Sequence, residues 1–294
     1  MPDMNALLEV KELSMHYGSI QALRDISFSL EEGKIYGLLG RNGAGKTTLL
    51  NLLTSRIYTH KGEIRLFGQP GVDNQQALSR ICYMPEKNLF PEGMRVLTIL
   101  ETAKAFYPDY NRQEADELCK TFALDPRKRY KNLSRGYETI LRIVIGLASH
   151  AELTIFDEPI LGLDAAARDL FYQTLVKSAA DHPRTFILST HLIDESADLF
   201  EDVLILKEGH LIAFENADDL RRSAFHLTGR ADLLDQFVKD HQLQILGREG
   251  IGNLASLAVR GNLDSTLRSA AVEAGLDVAP ISLQKLFIYL TESD

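Results

Sequence analysis

Residues 40–48 read Gly40-Arg41-Asn42-Gly43-Ala44-Gly45-Lys46-Thr47-Thr48, and this stretch decides the fold of the chain. It fits the pattern G-x-x-x-x-G-K-[ST], in which glycines let backbone N–H groups close around phosphate oxygens. Lys46 supplies a cation, and the Thr47 hydroxyl can bind Mg²⁺. The stretch therefore predicts a loop that holds the phosphates of a nucleotide.

The sequence on either side of this loop agrees with that interpretation. The apolar run 34–39 predicts a buried strand that enters the loop, and residues 48–53 predict a helix that leaves it. The N-terminus of such a helix directs free N–H groups and the positive end of its dipole at the phosphates. A glycine-rich turn without a ligand is the plainer alternative, but it does not require the strand and helix frame.

Length and composition set the outer limits of the prediction. The chain of 294 residues can hold one large α/β domain and a small additional one. No run approaches the roughly 18 apolar residues that cross a bilayer, and residues 1–5 lack the features of a signal peptide, so we expect a cytoplasmic chain. Cys82 and Cys119 are distant from each other in sequence and have no nearby C-x-x-C or His partner, which favours two buried thiols.

Charge argues against one class of partner. The net charge of −9 disfavours general affinity for nucleic acid, because phosphate backbones favour basic surfaces. The basic segment 127–131 is the candidate exception, and a solvated face explains it more simply. We therefore expect no nucleic-acid partner.

The hydrophobic pattern divides the chain into three parts. Strand and helix patterns alternate around the loop, and a hairpin at 203–214 closes this core. Helical periodicity takes over from Gly93 to about Gly136 and predicts a helical insert. After about Leu220 the pattern predicts a small α+β module with a hairpin across 250–252 and no cluster of ionisable groups, which favours packing, dimerisation or regulation. The core strands are predicted at 10–15, 23–30, 62–67, 81–84, 153–156 and 185–189.

Further candidate site residues follow predicted strands or begin a helix. Asp157 and Glu158 end an apolar strand, where Asp157 is suited to hold Mg²⁺ and Glu158 to polarise an attacking water. His191 follows another strand and can contact a terminal phosphate or that water. Ser134 is placed as a helix N-cap, and Gly136 keeps the first turn open. Each of these residues alone also has an ordinary structural explanation.

The order of these motifs resembles the ATP-binding-cassette (ABC) ATPases over about residues 5–220. The resemblance implies an α/β P-loop NTPase core with an antiparallel β subdomain and a helical insert, in a domain 1–220 with a helical subdomain at about 88–140 and an accessory α+β module at 221–294. It implies ATP and Mg²⁺ as ligands, Asp157 as the magnesium acid, Glu158 as catalytic base and His191 as switch histidine. It also implies a dimer in which Ser134, Gly136 and Asp164 complete the partner's ATP site. The implied nucleotide-binding residues are Tyr17, which stacks on adenine, with Gly40, Arg41, Asn42, Gly43, Ala44, Gly45, Lys46, Thr47, Thr48, Ser134, Gly136 and Asp164.

Three positions depart from the family pattern. Arg135 stands where the signature usually has a second glycine, and Tyr137 stands where it has glutamine. Arg135 removes backbone freedom and adds a donor that can reach phosphate, so slow or asymmetric hydrolysis is compatible with it. Glu86 replaces the usual glutamine of the Q-loop, and its carboxylate can still contact Mg²⁺.

A second, weaker resemblance concerns function. Pro85-Glu86 followed by Leu89-Phe90-Pro91, with the closing segment 282–291, resembles the branch that energises drug, antibiotic or lipid exporters. It implies the ATPase subunit of an exporter, peripheral on the inner face of the membrane, with a separate permease docked near Glu86 and the helical insert. Two alternatives stay open: a soluble ABC ATPase acting on ribosomes or DNA, and a weakly hydrolysing regulatory cassette in a heterodimer.

Overall fold

The computed structural model describes residues 6–58, 61–87 and 90–292. The chain forms two compact units, one of residues 1–191 with 202–214 and one of residues 192–201 with 215–294. The second unit thus starts a few residues before the predicted boundary at 221 and also includes a segment directly after His191. Leu89, used above for the exporter resemblance, lies outside the described residues.

Strands and helices alternate along most of the described chain. In chain order they are β1 (Ala6–Tyr17), β2 (Ile20–Glu31), β3 (Ile35–Gly40), α1 (Lys46–Leu53), β4 (Lys61–Leu66), β5 (Gln69–Pro70), α2 (Gln75–Leu78), β6 (Ile81–Met84), α3 (Val96–Phe106), α4 (Arg112–Thr121), α5 (Arg135–Ala148), β7 (Leu153–Asp157), α6 (Ala165–Asp181), β8 (Thr185–Thr190), α7 (Ile193–Ser196), β9 (Asp202–Lys207), β10 (His210–Asn216), α8 (Ala217–Arg222), β11 (Ala224–Arg230), α9 (Ala231–Asp240), β12 (Gln244–Ile251), β13 (Leu254–Arg260), α10 (Ser265–Glu273), β14 (Asp277–Pro280) and α11 (Leu283–Glu292).

A six-stranded sheet of order β10-β9-β3-β8-β7-β6 forms the centre of the first unit. The pairs β9/β3, β3/β8, β8/β7 and β7/β6 are parallel. Every residue of β3, β7 and β8 is buried, as expected for strands covered on both faces. Leu39 pairs with Thr190, and Asp157 pairs with Ser189, so these strands end at the same edge of the sheet. That edge carries the phosphate loop, Glu158 and His191.

A second sheet of the first unit is antiparallel, with the order β2-β1-β4-β5. Its apolar side chains, such as Leu8, Leu13 and Leu66, are almost fully buried and form one core with residues of α1 and the parallel sheet. The turn between β1 and β2 places Tyr17 and Ile20 at the start of the hairpin, where both are exposed. This sheet is the antiparallel subdomain implied by the family resemblance.

The helical insert consists of α3 and α4 and leads into α5. Asn111 caps α4 by accepting from the Glu114 N–H at 3.1 Å, and Ser134 caps α5 as its sequence position predicts. From Thr139 to its last residue α5 is buried, because it packs between the insert and the parallel sheet. The insert therefore joins the nucleotide-binding core through a buried helix.

The second unit contains an antiparallel sheet of order β12-β13-β11-β14. The order β11-α9-β12-β13-α10-β14 along the chain is that of the split β-α-β fold. Phe225, Leu227, Leu257 and Phe237 belong to its apolar core. Segment 192–201 joins this unit because α7 contacts α11, and because the Ala217 N–H donates to the Glu201 carbonyl at 2.8 Å.

The predicted fold class is confirmed, with a parallel sheet, an antiparallel sheet and a separate small α+β unit. The sequence pattern missed the short strand β14, whose edge position tolerates Pro280. Cys82 and Cys119 are free and buried, as predicted. Within the described residues, no helix is both long enough and apolar enough to cross a membrane.

Candidate nucleotide-binding site

The loop between β3 and α1 has the backbone conformation that its glycines permit. Gly43 and Gly45 have φ angles of 83° and 108°, in the region that favours glycine. A Cβ atom at Gly45 would lie 2.8 Å from the Ala22 carbonyl oxygen, so a side chain is excluded there by space as well. Helix α1 has no side-chain cap and no acidic residue in its first turn. Its first N–H groups are therefore positioned to receive an anion.

Lys46 is a buried cation at the start of α1, only 7% exposed. Its Nζ donates to the Gly40 carbonyl oxygen at 2.6 Å and lies 3.7 Å from Oε1 of Glu158. The first contact keeps the Lys46 side chain folded over the loop, and the second offsets the negative charge of the buried Glu158 carboxylate. A buried ammonium group next to ordered N–H groups is suited to bind phosphate.

Asp157 is 2% exposed and ends β7. Its Oδ2 accepts from the Thr47 hydroxyl at 3.2 Å and from the Tyr83 hydroxyl at 3.4 Å. Burial and the Asp157 charge raise the pKa of Tyr83 well above its usual value, so Tyr83 remains a donor. Hydroxyl and carboxylate oxygens are the ligands that Mg²⁺ prefers. Within the described residues there is no cluster of three or more His, Cys, Asp or Glu fit for a metal. A Mg²⁺ ion held by Thr47 and Asp157 would take its other ligands from phosphate oxygens or water.

Glu158 follows β7 in a left-handed backbone conformation, with φ of 52°. Its N–H donates to the Ser189 carbonyl at 2.8 Å, which fixes it beside the end of β8. One carboxylate oxygen, Oε1, lies 2.9 Å from Nδ1 of His191. Among the described residues, the other oxygen, Oε2, is buried without a hydrogen-bond partner. A buried orphan acceptor of this kind fits a bound water or ligand group.

These residues line a cleft of about 530 Å³, a volume typical of ligand pockets. The cleft brings together the phosphate loop, Asp157, Glu158, Glu86 and Tyr17. Tyr17 is 47% exposed and Ile20 is 68% exposed, so two apolar side chains stand at its rim. His191 is not among the lining residues and reaches the cleft through Glu158.

Ser134, Gly136 and Asp164 do not line this cleft. Ser134 caps α5 by accepting from the Tyr137 N–H at 3.4 Å, and Asp164 caps α6 by accepting from the Ala167 N–H at 2.8 Å. A Cβ atom at Gly136 would lie 2.8 Å from the Gly162 carbonyl oxygen, so the two helix starts approach each other closely. We call residues 134–137 together with 162–164 the signature face.

The unusual residues of the signature face have partners within the same chain. The Arg135 guanidinium lies 3.5 Å from the Glu86 carboxylate, and both side chains are well exposed. The Lys128 ammonium group lies over the Tyr137 ring in a cation–π contact, with Nζ 5.6 Å from the ring centroid. The departures from the family pattern at Arg135 and Glu86 thus pair with each other.

Sequence reasoning missed several residues around the cleft. Arg24, Glu208 and Gly209 line it, although their sequence indicated only a strand and a hairpin turn. Gly209 has a φ of 82° and its N–H donates to the Ala44 carbonyl at 3.0 Å, so this turn supports the phosphate loop. The Glu208-Gly209 turn was a detectable signal, but only strand order reveals that it meets the loop.

The fold and the cleft define a P-loop nucleotide-binding protein with a helical insert. Comparison with known proteins gives the family. Residues 23–161 match the family model described as ABC transporter. The chain is 30% identical over 230 residues to the Nod factor export ATP-binding protein I of Cupriavidus pinatubonensis, covering 75% of this chain and 69% of that protein. It is 27% identical over 294 residues to the bacitracin transport ATP-binding protein BcrA of Bacillus licheniformis, covering 96% and 94% of the two chains.

A solved structure supports the same assignment. It is described as the ATP binding subunit of an ABC transporter, and it matches with a TM-score of 0.67 and 28% identity over 74% of this chain and 92% of that one. The chain belongs to the ATP-binding proteins of ABC transporters, and it is an ATPase. The family predicted from the motif order is confirmed.

Proposed function

We propose that this chain is the ATP-hydrolysing subunit of a membrane exporter and drives a separate permease from the inner face of the cell membrane. The observation that carries the proposal is the convergence of Lys46, Asp157 and Glu158 in one cleft, with His191 bonded to Glu158. The names of the relatives from Cupriavidus pinatubonensis and Bacillus licheniformis, which speak of export and transport, support the direction.

In the proposed site the side chains divide the binding of ATP and Mg²⁺ among them. Lys46 and the loop N–H groups bind phosphate oxygens, and Tyr17 stacks on the adenine ring. Thr47 and Asp157, with Glu86 facing the same cleft, would hold Mg²⁺. When bound, Mg²⁺ would offset the charge of the phosphates.

Glu158 is assigned to accept the proton of the attacking water. Its buried Oε2 lacks a partner among the described residues, so it is available to accept that proton. His191 holds Oε1 at 2.9 Å and thereby fixes the direction of Oε2. We assign His191 a second contact with the terminal phosphate, from the same strand end.

The signature face is proposed to complete the ATP site of a second copy or a related cassette. Ser134 and Asp164 are exposed and lie outside the cleft of their own chain, although the family pattern counts both as nucleotide-binding. A dimer with each signature face against the partner's cleft would use both. Arg135 would then add a cation near the partner's phosphates.

The permease is proposed to contact the neighbourhood of Glu86 and the helical insert. Helix α3 of the insert exposes two large apolar side chains, Leu97 at 37% and Phe106 at 67%. The two residues face different sides of α3, so Phe106, the more exposed of the two, marks the proposed contact. A matched surface residue elsewhere in the unit is Val176 on α6, which is 48% exposed.

Purification from detergent-solubilised membranes tests the proposal. A tagged chain should recover a multi-span integral membrane protein, and ATP hydrolysis should rise severalfold when the two are reconstituted in liposomes. Phe106→Ser should reduce recovery of that protein, whereas Val176→Ser should not. Both positions are exposed, so neither change should lower stability by more than about 0.5 kcal/mol.

Two results would contradict the proposal. Recovery of no integral membrane protein would remove the transport role. Salt-sensitive co-sedimentation with ribosomes or DNA would favour the soluble ATPase, an outcome that the net charge of −9 argues against.

A further inference from the structure

Arg142 is a buried arginine in the middle of α5, 8% exposed. Its Nη1 donates to the Pro85 carbonyl oxygen at 2.7 Å, and its Nη2 donates to the Thr139 hydroxyl at 2.7 Å. Its neighbours along the helix, Ile140 to Val144, are otherwise apolar, and the sequence alone gives Arg142 no role. Burial lowers its pKa, which marks the cost of keeping a charge at this position.

The hydrogen bonds of Arg142 extend in two directions. The Thr139 hydroxyl donates to the Leu161 carbonyl oxygen at 3.0 Å, so it accepts from Arg142 and donates onward. Pro85 directly precedes Glu86, which lines the cleft. Leu161 directly precedes residues 162–164 of the signature face. The side chains of Arg142 and Thr139 thus connect the residue before Glu86 with the residue before the 162–164 segment of the signature face.

The spacing along α5 reinforces this link. Arg135, Thr139 and Arg142 follow one another at intervals of four and three residues, so they share one face of the helix. Arg135 reaches the Glu86 carboxylate and Arg142 reaches the carbonyl just before it. The first contact is exposed and long, whereas the second is buried and short. The buried contact is therefore the permanent one, because solvent weakens exposed ion pairs.

Stability alone does not account for an arginine here. Even a complete buried ion pair can often be replaced by apolar side chains of similar volume without loss of stability, so a buried charge is weak evidence for a stabilising role. A planar fork of N–H donors, however, holds two acceptors in a fixed relation, which neither an apolar side chain nor a lysine can do. One acceptor, the Pro85 carbonyl, directly precedes Glu86 of the cleft, and the other, the Thr139 hydroxyl, donates in turn to Leu161, directly before residues 162–164 of the signature face.

We infer that Arg142 is a positioning residue that couples the Pro85-Glu86 segment of the cleft to the signature face through Thr139 and Leu161. Movement of one segment is transmitted to the other through the guanidinium group. The inference rests on the proposed function only where turnover is the readout. Its geometric part stands on the hydrogen bonds alone.

The chain offers a matched control in Arg184. This arginine is 6% exposed, and burial lowers its pKa in the same way. Its Nη2 donates to the Leu147 carbonyl at 2.7 Å and to the Ser178 hydroxyl at 2.7 Å. Arg184 therefore has the same kind of partners, one carbonyl and one hydroxyl, but they belong to neither the cleft nor the signature face.

A spin label at Lys87→Cys tests the geometric part. Lys87 is exposed next to Glu86, while Cys82 and Cys119 are buried and burial raises the pKa of both thiols to about 11, so the label goes to the new cysteine. Arg142→Met should increase the mobility of the label, and Arg142→Lys should increase it less. Arg184→Met should leave it unchanged. Equal mobility in the Arg142→Met and Arg184→Met proteins would overturn the inference.

Turnover tests the functional part. Arg142→Met should lower kcat for ATP about tenfold with KM changed less than twofold, whereas Arg184→Met should leave kcat per folded molecule at the native value. Thr139→Val keeps the volume and the Pro85 contact, and should lower kcat about threefold. Because both changes act through one link, the double variant should match Arg142→Met within about twofold.

The outcomes separate the inference from the proposed function. If Arg142→Met does not fold, Arg142→Lys and Thr139→Val carry the same test. Additive losses in the double variant, or a native kcat in Arg142→Met, would refute the coupling. If the native chain shows no turnover, the proposed function fails, and the spin-label result still decides whether Arg142 holds the Glu86 segment.

Discussion

The cleft and the signature face differ in how their polar side chains are used. In the cleft, Lys46, Asp157 and Glu158 are all buried and contact other cleft residues. On the signature face, Ser134 and Asp164 are exposed and cap their own helices. The cleft therefore holds a set of mutually supporting charges, and the signature face presents helix starts to solvent.

Because of this difference, substitutions in the two regions should impair the protein in different ways. A change in the cleft alters groups that are buried with one another, so it should affect binding or chemistry in the same chain. A change on the signature face should leave nucleotide affinity intact and lower turnover, because we assign that face to the partner's site.

Glu158→Gln should have the largest effect. The amide keeps the size of the side chain but cannot accept the proton of the attacking water, so turnover should fall about 10³-fold while ATP stays bound. Steady-state phosphate release and equilibrium binding of ATP measure the two quantities. Glu152→Gln is the control, since Glu152 lies just before the same strand at its other end, paired with Arg80 on the surface. A native rate in Glu158→Gln would contradict the assignment of Glu158 as the catalytic base and of the cleft as the site of ATP hydrolysis.

Lys46→Ala should affect affinity. It removes the cation that lies 3.7 Å from Glu158 and leaves a buried carboxylate facing the phosphates, so ATP affinity should fall about 100-fold. Titration with a fluorescent ATP analogue measures this loss. Lys34→Ala is the matched control, because Lys34 lies just before the strand that Lys46 follows and pairs with Asp202 at 3.0 Å. Equal losses in both variants would show that general charge, rather than the cleft, binds the nucleotide.

The sequence predicted the parts of the cleft that lie near one another along the chain. The phosphate loop was found from a local pattern, and Asp157 with Glu158 from an apolar run that ends in acids. His191 was placed correctly at a strand end, because parallel strands end at one edge of a sheet. These predictions needed no knowledge of which strands are neighbours.

The missed residues depend on tertiary neighbours. Tyr83 reaches Asp157 only because β6 pairs with β7, an order that no local pattern gives. Arg142 interrupts an apolar helix, and its partner Pro85 lies 57 positions away along the chain. Residues 192–201 join the second unit through contacts with α8 and α11, so one boundary in sequence could not describe the two units.

Gly136→Ala tests the signature face and should lower turnover by an intermediate amount. The added Cβ would lie 2.8 Å from the Gly162 carbonyl oxygen, so the two helix starts must separate. We expect about tenfold lower turnover, since small displacements of positioning groups have large effects, with nucleotide affinity within twofold of native. Gly93→Ala is the control, because a Cβ atom there would have no neighbour closer than 3.9 Å within the part of the chain that the structure describes. A loss of affinity in Gly136→Ala would contradict the separation of the two regions.

Asp164→Ala should have the smallest effect on turnover, and the chain offers a closely matched control for it. Asp164 caps α6 at 2.8 Å, and Asp264 in the second unit caps α10 with the same geometry at 2.7 Å. Removal of either cap should lower stability by about 1 kcal/mol, measured by denaturant unfolding. Only Asp164→Ala should also lower turnover, by about threefold, if its carboxylate serves a partner's site.

Asp164→Asn separates the two roles of this residue. Asparagine caps a helix about as well as aspartate, so stability should return to the native value. If turnover stays low in Asp164→Asn, the charge of the carboxylate has a role in turnover that is separate from capping α6. If turnover also returns, the cap alone explains Asp164. The role of the signature face in the partner's ATP site would then depend on Ser134, Arg135 and Gly136 alone. These residues all lie at the start of α5.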